Sequence, residues 1–82
     1  MGKVALITGI GGQDAAYLSK NLLEKGFKVI GTTRRSSVDN LFRLRTLSIE
    51  NEVEIMSADI QETIRMQELI RNIKPDHFYN LA

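Results

Sequence analysis

The stretch KVALITGIGGQDAAYLSKNLLE, residues 3–24, decides the fold of this chain. It begins with the apolar run VALI, which lacks polar alternation and is typical of a parallel strand covered on both faces. Gly9, Gly11 and Gly12 follow, and apolar residues then recur at helical spacing as far as Leu22. A strand, a glycine turn and a helix in this order place the free N–H groups and the positive dipole end of the helix under an anion. The sequence therefore predicts a site for the pyrophosphate of a dinucleotide.

The spacing of the glycines indicates which class of phosphate-binding turn is predicted. Gly9, Gly12 and Ala15 form the pattern G-x-x-G-x-x-A instead of G-x-G-x-x-G. The third glycine mainly allows close packing of helix on strand, so Ala15 removes no phosphate contact. A Walker-type phosphate loop is excluded, because no Gly-Lys-Ser/Thr follows. A structural turn without a ligand is the alternative that the motif alone leaves open.

A second informative stretch, Arg34-Arg35-Ser36-Ser37, follows the second predicted strand. NAD-preferring folds carry an acidic residue roughly 20 positions beyond the glycines, where it binds the ribose 2′-hydroxyl. Two guanidinium groups and two hydroxyls suit a 2′-phosphate instead. The sequence therefore favours NADP over NAD, although Arg34 and Arg35 would also fit a solvated loop or an oligomer contact.

The rest of the chain alternates strand and helix patterns. We predict strands at about residues 3–8, 27–33, 51–57 and 77–82, and helices at about residues 12–25, 41–47 and 59–74. This order indicates an α/β fold, namely a Rossmann-type parallel sheet with helices on both faces. Only a first portion, βαβαβαβ, is present.

Individual residues predict how the helices end and which of their faces are buried. We expect Gly26 to end the first helix in a left-handed conformation, and Gly31 to mark a close contact with the first turn. Arg43 and Arg45 are expected to point outward from the second helix. Asp59 with Glu62 has the form of a capping box for the third helix. Its predicted buried stripe is Ile60, Ile64, Leu69, Ile70 and Ile73.

The composition is that of an ordinary soluble protein. A net charge of +1 over 82 residues gives no reason to expect nucleic-acid or membrane partners. The absence of cysteine and the single histidine, His77, argue against disulfides and a protein-only zinc site. No apolar run approaches the ~20 residues of a membrane span, and the start carries no signal-peptide pattern. We therefore expect a cytoplasmic protein, with His77, Tyr17 and Tyr79 in structural packing roles.

The length suggests part of a larger protein. A dinucleotide-binding sheet has two βαβαβ halves, and this chain has room for little more than one. It also ends just after an apolar strand, where a sheet edge would be uncovered. We expect residues 1–82 to be the N-terminal part of an NADP-binding Rossmann domain in a longer chain, without the second half and the substrate domain.

Taken together, these motifs resemble a known family. The chain resembles the N-terminal part of extended short-chain dehydrogenase/reductases that act on nucleotide sugars, and among them the GDP-mannose 4,6-dehydratases. The resemblance covers all 82 residues and rests on ALITGIGGQDAAYL, RRSS and IKPDHFYNLA. The pieces that discriminate against the related sugar epimerases are Gln13-Asp14 and Arg34-Arg35-Ser36-Ser37. Departures from the family pattern are Gly11, Ala15 and Val38-Asp39.

The resemblance implies a set of cofactor contacts. Gly9, Gly12, Gln13 and Asp14 would line the pyrophosphate turn, and Arg35 with Ser36 or Arg34 would hold the 2′-phosphate. Asp59 and Ile60 would lie at the adenine ring, and Leu81 and Ala82 beside the riboses. For Asp59, helix capping alone is the alternative role.

The resemblance also implies an activity for the full-length protein. Family members are NADP-dependent lyases that convert GDP-mannose to GDP-4-keto-6-deoxymannose and water, and they are homotetramers. Their catalytic Tyr and Lys, Ser/Thr and Glu match nothing in this sequence, so no catalytic residue is assigned here. An epimerase or reductase of the same fold, or a non-catalytic NADP-binding protein, remains as an alternative.

Overall fold

The computed structural model describes residues 2–33, 42–58 and 61–81, and strands and helices alternate along them. The elements in chain order are β1 (Val4–Thr8), α1 (Gln13–Glu24), β2 (Lys28–Thr33), α2 (Phe42–Thr46), β3 (Val53–Ser57), α3 (Thr63–Ile73) and β4 (His77–Asn80). The predicted order and type of these elements are confirmed. Most predicted bounds agree to within two residues, and the start of α3 is the main exception.

The four strands form one parallel sheet in the order β3-β2-β1-β4. From β1 the chain moves outward through β2 to β3, and it then returns to the other side of β1 to form β4. The direction of winding therefore reverses between β1 and β4. In open parallel sheets, ligands bind beyond the carboxyl ends of the strands at such a switch point.

Helices cover both faces of the sheet. Successive strand residues point to opposite faces, and on β3 Ile55 packs with one apolar cluster while Met56 packs with another. The first cluster joins β1 and β2 to α1 and α2, with Ile7, Ala16 and Leu44 among its buried members. The second contains Met66 and Leu69 of α3. The predicted arrangement with helices on both faces is confirmed.

Two predicted glycine roles are also confirmed. Gly26 follows α1 with φ of 87°, a conformation in which a side chain is strained. Gly31 in β2 packs directly under the glycine turn, because a Cβ built on it would lie 2.7 Å from Cβ of Ile10. The absence of a side chain at Gly31 therefore allows Ile10 of the turn to pack directly against the backbone of β2.

The start of α3 differs from the predicted capping box. Asp59 and Ile60 lie outside the described residues, but the N-cap of α3 is Glu62 and its side chain makes no capping hydrogen bond. The first helical bond runs from Met66 N–H to the Glu62 carbonyl, at 2.9 Å. Arg65 reaches back from the first turn, and its guanidinium donates to the Ser57 carbonyl at the end of β3. The helix therefore begins at Thr63, four residues later than the predicted start at residue 59.

The buried face of α3 differs as well. Met66 and Leu69 are buried, and Ile70 and Ile73 are half-buried, whereas Ile64 is 74% exposed. Two helical positions correspond to a rotation of about 200°, so Ile64 and Met66 cannot share a face. The prediction of Ile64 in the stripe was wrong for this reason.

The predicted packing roles of the aromatic residues hold in part. His77 is a strand residue whose ring contacts Phe27 edge-on, with 5.3 Å between the ring centroids, and stacks on Tyr79. Tyr79 also packs against the first apolar cluster. Tyr17 is 58% exposed, since it lies on the outer face of α1, so its predicted packing role was wrong.

Candidate functional site

The glycine turn lies between β1 and α1 and is fastened to β2. Gly9 has φ of 72°, in the left-handed region that favours glycine. The N–H groups of Gly9 and Ile10 both donate to the carbonyl of Thr32, each at 3.1 Å. The N–H of Gly12 donates back to the Gly9 carbonyl at 3.1 Å. Backbone hydrogen bonds within the turn and to β2 therefore fix the turn before any ligand arrives.

The N-terminus of α1 follows this fastened turn directly. Gly12 is the N-cap, with extended backbone angles of −76° and 160° and no side chain that could cap the helix. The first helical bond joins Ala16 N–H to the Gly12 carbonyl at 3.1 Å. Helix geometry leaves the N–H groups of Gln13, Asp14 and Ala15 without an acceptor inside the helix. These donors and the helix dipole favour an anion at this end.

A cleft opens directly onto these donors. Its volume is about 240 Å³, and it is lined by Gly9, Gly12, Gln13, Asp14, Ala15 and Leu81. Leu81 reaches it from the end of β4, where its N–H donates to the Thr8 carbonyl at 3.2 Å. The cleft thus lies at the carboxyl ends of β1 and β4, where the winding of the sheet reverses. All predicted cofactor residues that the structure describes line this one cleft.

The other predicted contacts lie outside the described residues. These are Arg34, Arg35, Ser36, Asp59, Ile60 and Ala82. Their described neighbours Thr33 and Ala58 are at the carboxyl ends of β2 and β3, and Ala58 N–H donates to the Thr33 carbonyl at 3.0 Å. The chain therefore leaves β2 and β3 on the same edge of the sheet as the cleft.

The charge balance of the cleft favours backbone recognition. Asp14, in the first turn of α1, suits the positive end of the helix dipole. Its carboxylate would nevertheless repel a phosphate, so an anion here would be bound through N–H groups. The residues present fit a pyrophosphate in this way, since Gly9 and Gly12 place no side chain between the donors and the open cleft.

Arg43 lies beside the glycine turn, although the sequence did not indicate a role for it there. It was expected to point outward from α2, but it is half-buried and its Nη1 donates to the Gly11 carbonyl at 3.0 Å. Its guanidinium also lies 4.6 Å from the centroid of the Phe42 ring. Arg45, by contrast, is exposed as expected. Helical spacing could not separate the two arginines, because the contact depends on how α2 docks beside α1.

The described residues that line the cleft offer backbone N–H groups for binding. The fourth residue after Tyr17 is Asn21, so Tyr17 does not belong to a Y-x-x-x-K pair. Within residues 2–33, 42–58 and 61–81, no group of three acidic, histidine or cysteine side chains could hold a metal ion. In the same part of the chain, no helix has the length and apolar character needed to cross a bilayer.

The chain is similar in sequence to known GDP-mannose 4,6-dehydratases. A family model described as GDP-mannose 4,6 dehydratase matches residues 6–82. The GDP-mannose 4,6 dehydratase of Cricetulus griseus is 40% identical over 98% of this chain, and the aligned region is 23% of that protein. The GDP-mannose 4,6-dehydratase of Vibrio cholerae serotype O1 is likewise 40% identical over 98% of the chain and 23% of its own length. The chain thus spans about a quarter of these curated relatives.

Solved structures share the fold. The enzyme WbmH of Bordetella bronchiseptica, crystallised in complex with NAD⁺, superposes with a TM-score of 0.77 and 25% sequence identity. The superposition covers 100% of this chain and 26% of that enzyme. The Rossmann-type sheet deduced from the sequence therefore has a counterpart in a protein that holds a dinucleotide.

Proposed function

The chain belongs to the GDP-mannose 4,6-dehydratase family, and from this membership we propose that it forms the N-terminal, NADP-binding portion of a nucleotide-sugar 4,6-dehydratase. The observation that carries the proposal is the cleft at the switch point of the sheet. There the glycine turn, the start of α1 and Leu81 meet. Sequence similarity points to the family, and the cleft supplies a physical reason for cofactor binding at this place.

The turn and α1 would hold the pyrophosphate. The N–H groups of Gln13 and Asp14 would donate to its oxygens, and the helix dipole would add to the attraction. Gly9 and Gly12 allow the ligand to approach the backbone closely. Because the Thr32 carbonyl already fixes the turn, little conformational entropy is lost when the cofactor binds. Leu81 and Ala82 would lie beside the riboses.

The remaining contacts would set the preference for NADP. Arg34 or Arg35, with Ser36, would bind the 2′-phosphate, because a guanidinium can donate two parallel hydrogen bonds to phosphate oxygens. Asp59 and Ile60 would lie at the adenine ring. Support comes from their neighbours Thr33 and Ala58, which leave the sheet at the edge where the cleft opens.

The glycine turn and the start of α1 would hold the cofactor. The chemistry that it would supply is reversible hydride transfer with the sugar, which lets the substrate lose water without net oxidation. For this chain we propose GDP-mannose as the substrate of the whole protein and GDP-4-keto-6-deoxymannose as its product. The residues of this chain would hold the cofactor at the switch point. Proton transfer and sugar binding would fall to residues beyond Ala82. We further propose a cytoplasmic homo-oligomer, with a tetramer as the expected state.

Cofactor binding is tested with the full gene product that contains this sequence. We expect calorimetric titration to give tighter binding of NADP⁺ than of NAD⁺. Replacing Arg34 and Arg35 together by alanine is expected to weaken NADP⁺ binding at least about tenfold, since hydrogen bonds to charged groups contribute ~1.5–3 kcal/mol. NAD⁺ binding should change little. Arg71→Ala, an exposed arginine on α3, is the matched control.

The outcomes separate the alternatives. Equal loss of both dinucleotides would contradict the 2′-phosphate role, and a change of oligomeric state without a change in affinity would assign the arginines to an interface. The reaction is tested by the product formed from GDP-mannose. A 4-keto-6-deoxy sugar supports the dehydratase, an epimer or reduced sugar supports another enzyme of the same fold, and unchanged substrate with intact NADP⁺ binding supports a non-catalytic protein.

A further inference from the structure

The contact between Arg43 and Gly11 joins two elements that lie far apart in the sequence. Arg43 Nη1 lies 3.0 Å from the Gly11 carbonyl oxygen across a separation of 32 residues. Gly11 is followed directly by Gly12, which lines the cleft. From this contact we propose that Arg43 is a positioning residue of the pyrophosphate site, an inference that rests on the cofactor-binding function proposed above.

The position of Arg43 is set by its neighbours. Leu44, the next residue, is fully buried in the apolar cluster that joins α1 to the sheet. The backbone of α2 is therefore held against the core, and the guanidinium lies beside the Phe42 ring, 4.6 Å from its centroid. Burying the stem of an arginine and packing its head on an aromatic ring both limit its rotamers. The hydrogen bond to Gly11 is thus made by a side chain with restricted freedom.

The orientation of the Gly11 carbonyl affects anion binding because its oxygen is partially negative. A carbonyl oxygen carries a partial negative charge and would repel a phosphate if the peptide rotated toward the cleft. A charge-assisted hydrogen bond to Arg43 opposes that rotation. The turn then presents N–H groups to the anion without further ordering, and preorganisation of this kind increases affinity.

The charge of Arg43 adds a second contribution. Its guanidinium carries a positive charge, and one residue separates its acceptor Gly11 from the donors at the start of α1. A cation close to these donors makes the electrostatic potential at the anion site more positive. It also offsets the negative charge of the Asp14 carboxylate. Both contributions act on the pyrophosphate, which NADP⁺, NAD⁺ and ADP-ribose share.

The test compares these three ligands in the full gene product. Arg43→Gln is expected to weaken all three by the same factor, about tenfold, because the lost interaction is one charge-assisted hydrogen bond. Arg43→Lys keeps the charge and should bind all three more tightly than Arg43→Gln. Arg45→Gln removes the same charge from an exposed position on α2 and should bind like the wild type. Thermal unfolding of each variant checks the fold.

Each other outcome overturns the proposal. Loss confined to NADP⁺ would assign Arg43 to the 2′-phosphate. Equal affinities of Arg43→Gln and Arg45→Gln, even with a lower Tm for Arg43→Gln, would leave Arg43 a purely structural role. A lysine variant as weak as the glutamine variant would contradict the charge-assisted bond on which the proposal rests. Failure of the wild type to bind any of the three ligands would instead contradict the proposed function, and this inference would fall with it.

Discussion

The hydroxyl of Thr8 donates to Oδ1 of Asn80 at 2.7 Å, and this bond joins the ends of β1 and β4 at the switch point of the sheet. The two residues are also partners in the strand register. Thr8 is buried, and the chain continues from it directly into the glycine turn, while Asn80 is followed by Leu81 in the cleft. This side-chain bond therefore adds to the backbone ladder that joins the two walls of the candidate site.

Thr8→Val is expected to lower the free energy of unfolding by about 1 kcal/mol, because it removes one hydrogen bond with almost no change of shape. Asn80→Ala should cost about 1–3 kcal/mol, since the buried Thr8 hydroxyl then loses its partner. The two losses should not add in the double variant, and urea unfolding measures all three. Additive losses would show that the bond contributes nothing. Thr46→Val, at an exposed threonine on α2, is the control.

Gly9 and Gly12 are expected to respond differently to alanine. Gly9→Ala forces a side chain into a backbone with φ of 72°, and it should cost about 1–2 kcal/mol of stability. Gly12 has φ of −76°, and a Cβ there would meet the Gly9 carbonyl oxygen at an ordinary 3.5 Å. Gly12→Ala should therefore change stability by less than about 1 kcal/mol. It should still weaken dinucleotide binding more than about tenfold, because the methyl group projects where the pyrophosphate approaches.

Paired measurements of urea unfolding and calorimetric binding separate these two effects. Normal dinucleotide affinity in Gly12→Ala would contradict the assignment of the cleft to the pyrophosphate. A stable Gly9→Ala variant would show that the turn can adopt another backbone conformation. Either result is informative without any assay of the sugar reaction.

The part of the fold that is encoded locally could be predicted from the sequence. The strand, turn and helix of residues 3–24 carry their signals within a few positions of each other, and so does the left-handed Gly26. The contact of Arg43 with Gly11 could not be predicted, because it depends on the docking of α2 through Leu44. The predicted start of α3 was wrong because Asp59 and Glu62 match a capping pattern in the sequence, whereas the helix begins at Thr63 with Glu62 as its N-cap.

The corrected face of α3 leads to a prediction of its own. Met66 is 5% exposed and packs with Ala58 and Leu69, so Met66→Ala should lower the free energy of unfolding by about 2–5 kcal/mol. Ile64 is 74% exposed, and Ile64→Ala should change it by no more than about 0.5 kcal/mol. Urea unfolding of both variants compares the two faces directly. A larger loss for Ile64→Ala would restore the stripe that helical spacing alone suggested.

Gly31 links the packing of the sheet to the candidate site. A Cβ at this position would lie 2.7 Å from both Cβ and Cδ1 of Ile10, well inside van der Waals contact, and Ile10 is fully buried. Ile10 therefore cannot move aside without displacing the turn, whose N–H groups at Gly9 and Ile10 bond to the Thr32 carbonyl. Gly31→Ala is expected to cost about 1–3 kcal/mol of stability, the usual range for an overpacked core.

Displacement of the turn should also affect ligand binding, because the turn positions the N–H donors at the start of α1. We expect Gly31→Ala to weaken dinucleotide binding under conditions where the variant is still folded. Gly26→Ala is the matched control, since it introduces backbone strain at φ of 87° with no atom within 4 Å of the added Cβ, at the opposite end of α1. It should lose about 1–2 kcal/mol of stability and keep its affinity for dinucleotides. If the two variants lose stability but both bind normally, the packing of Ile10 on Gly31 supports the fold without positioning the cofactor.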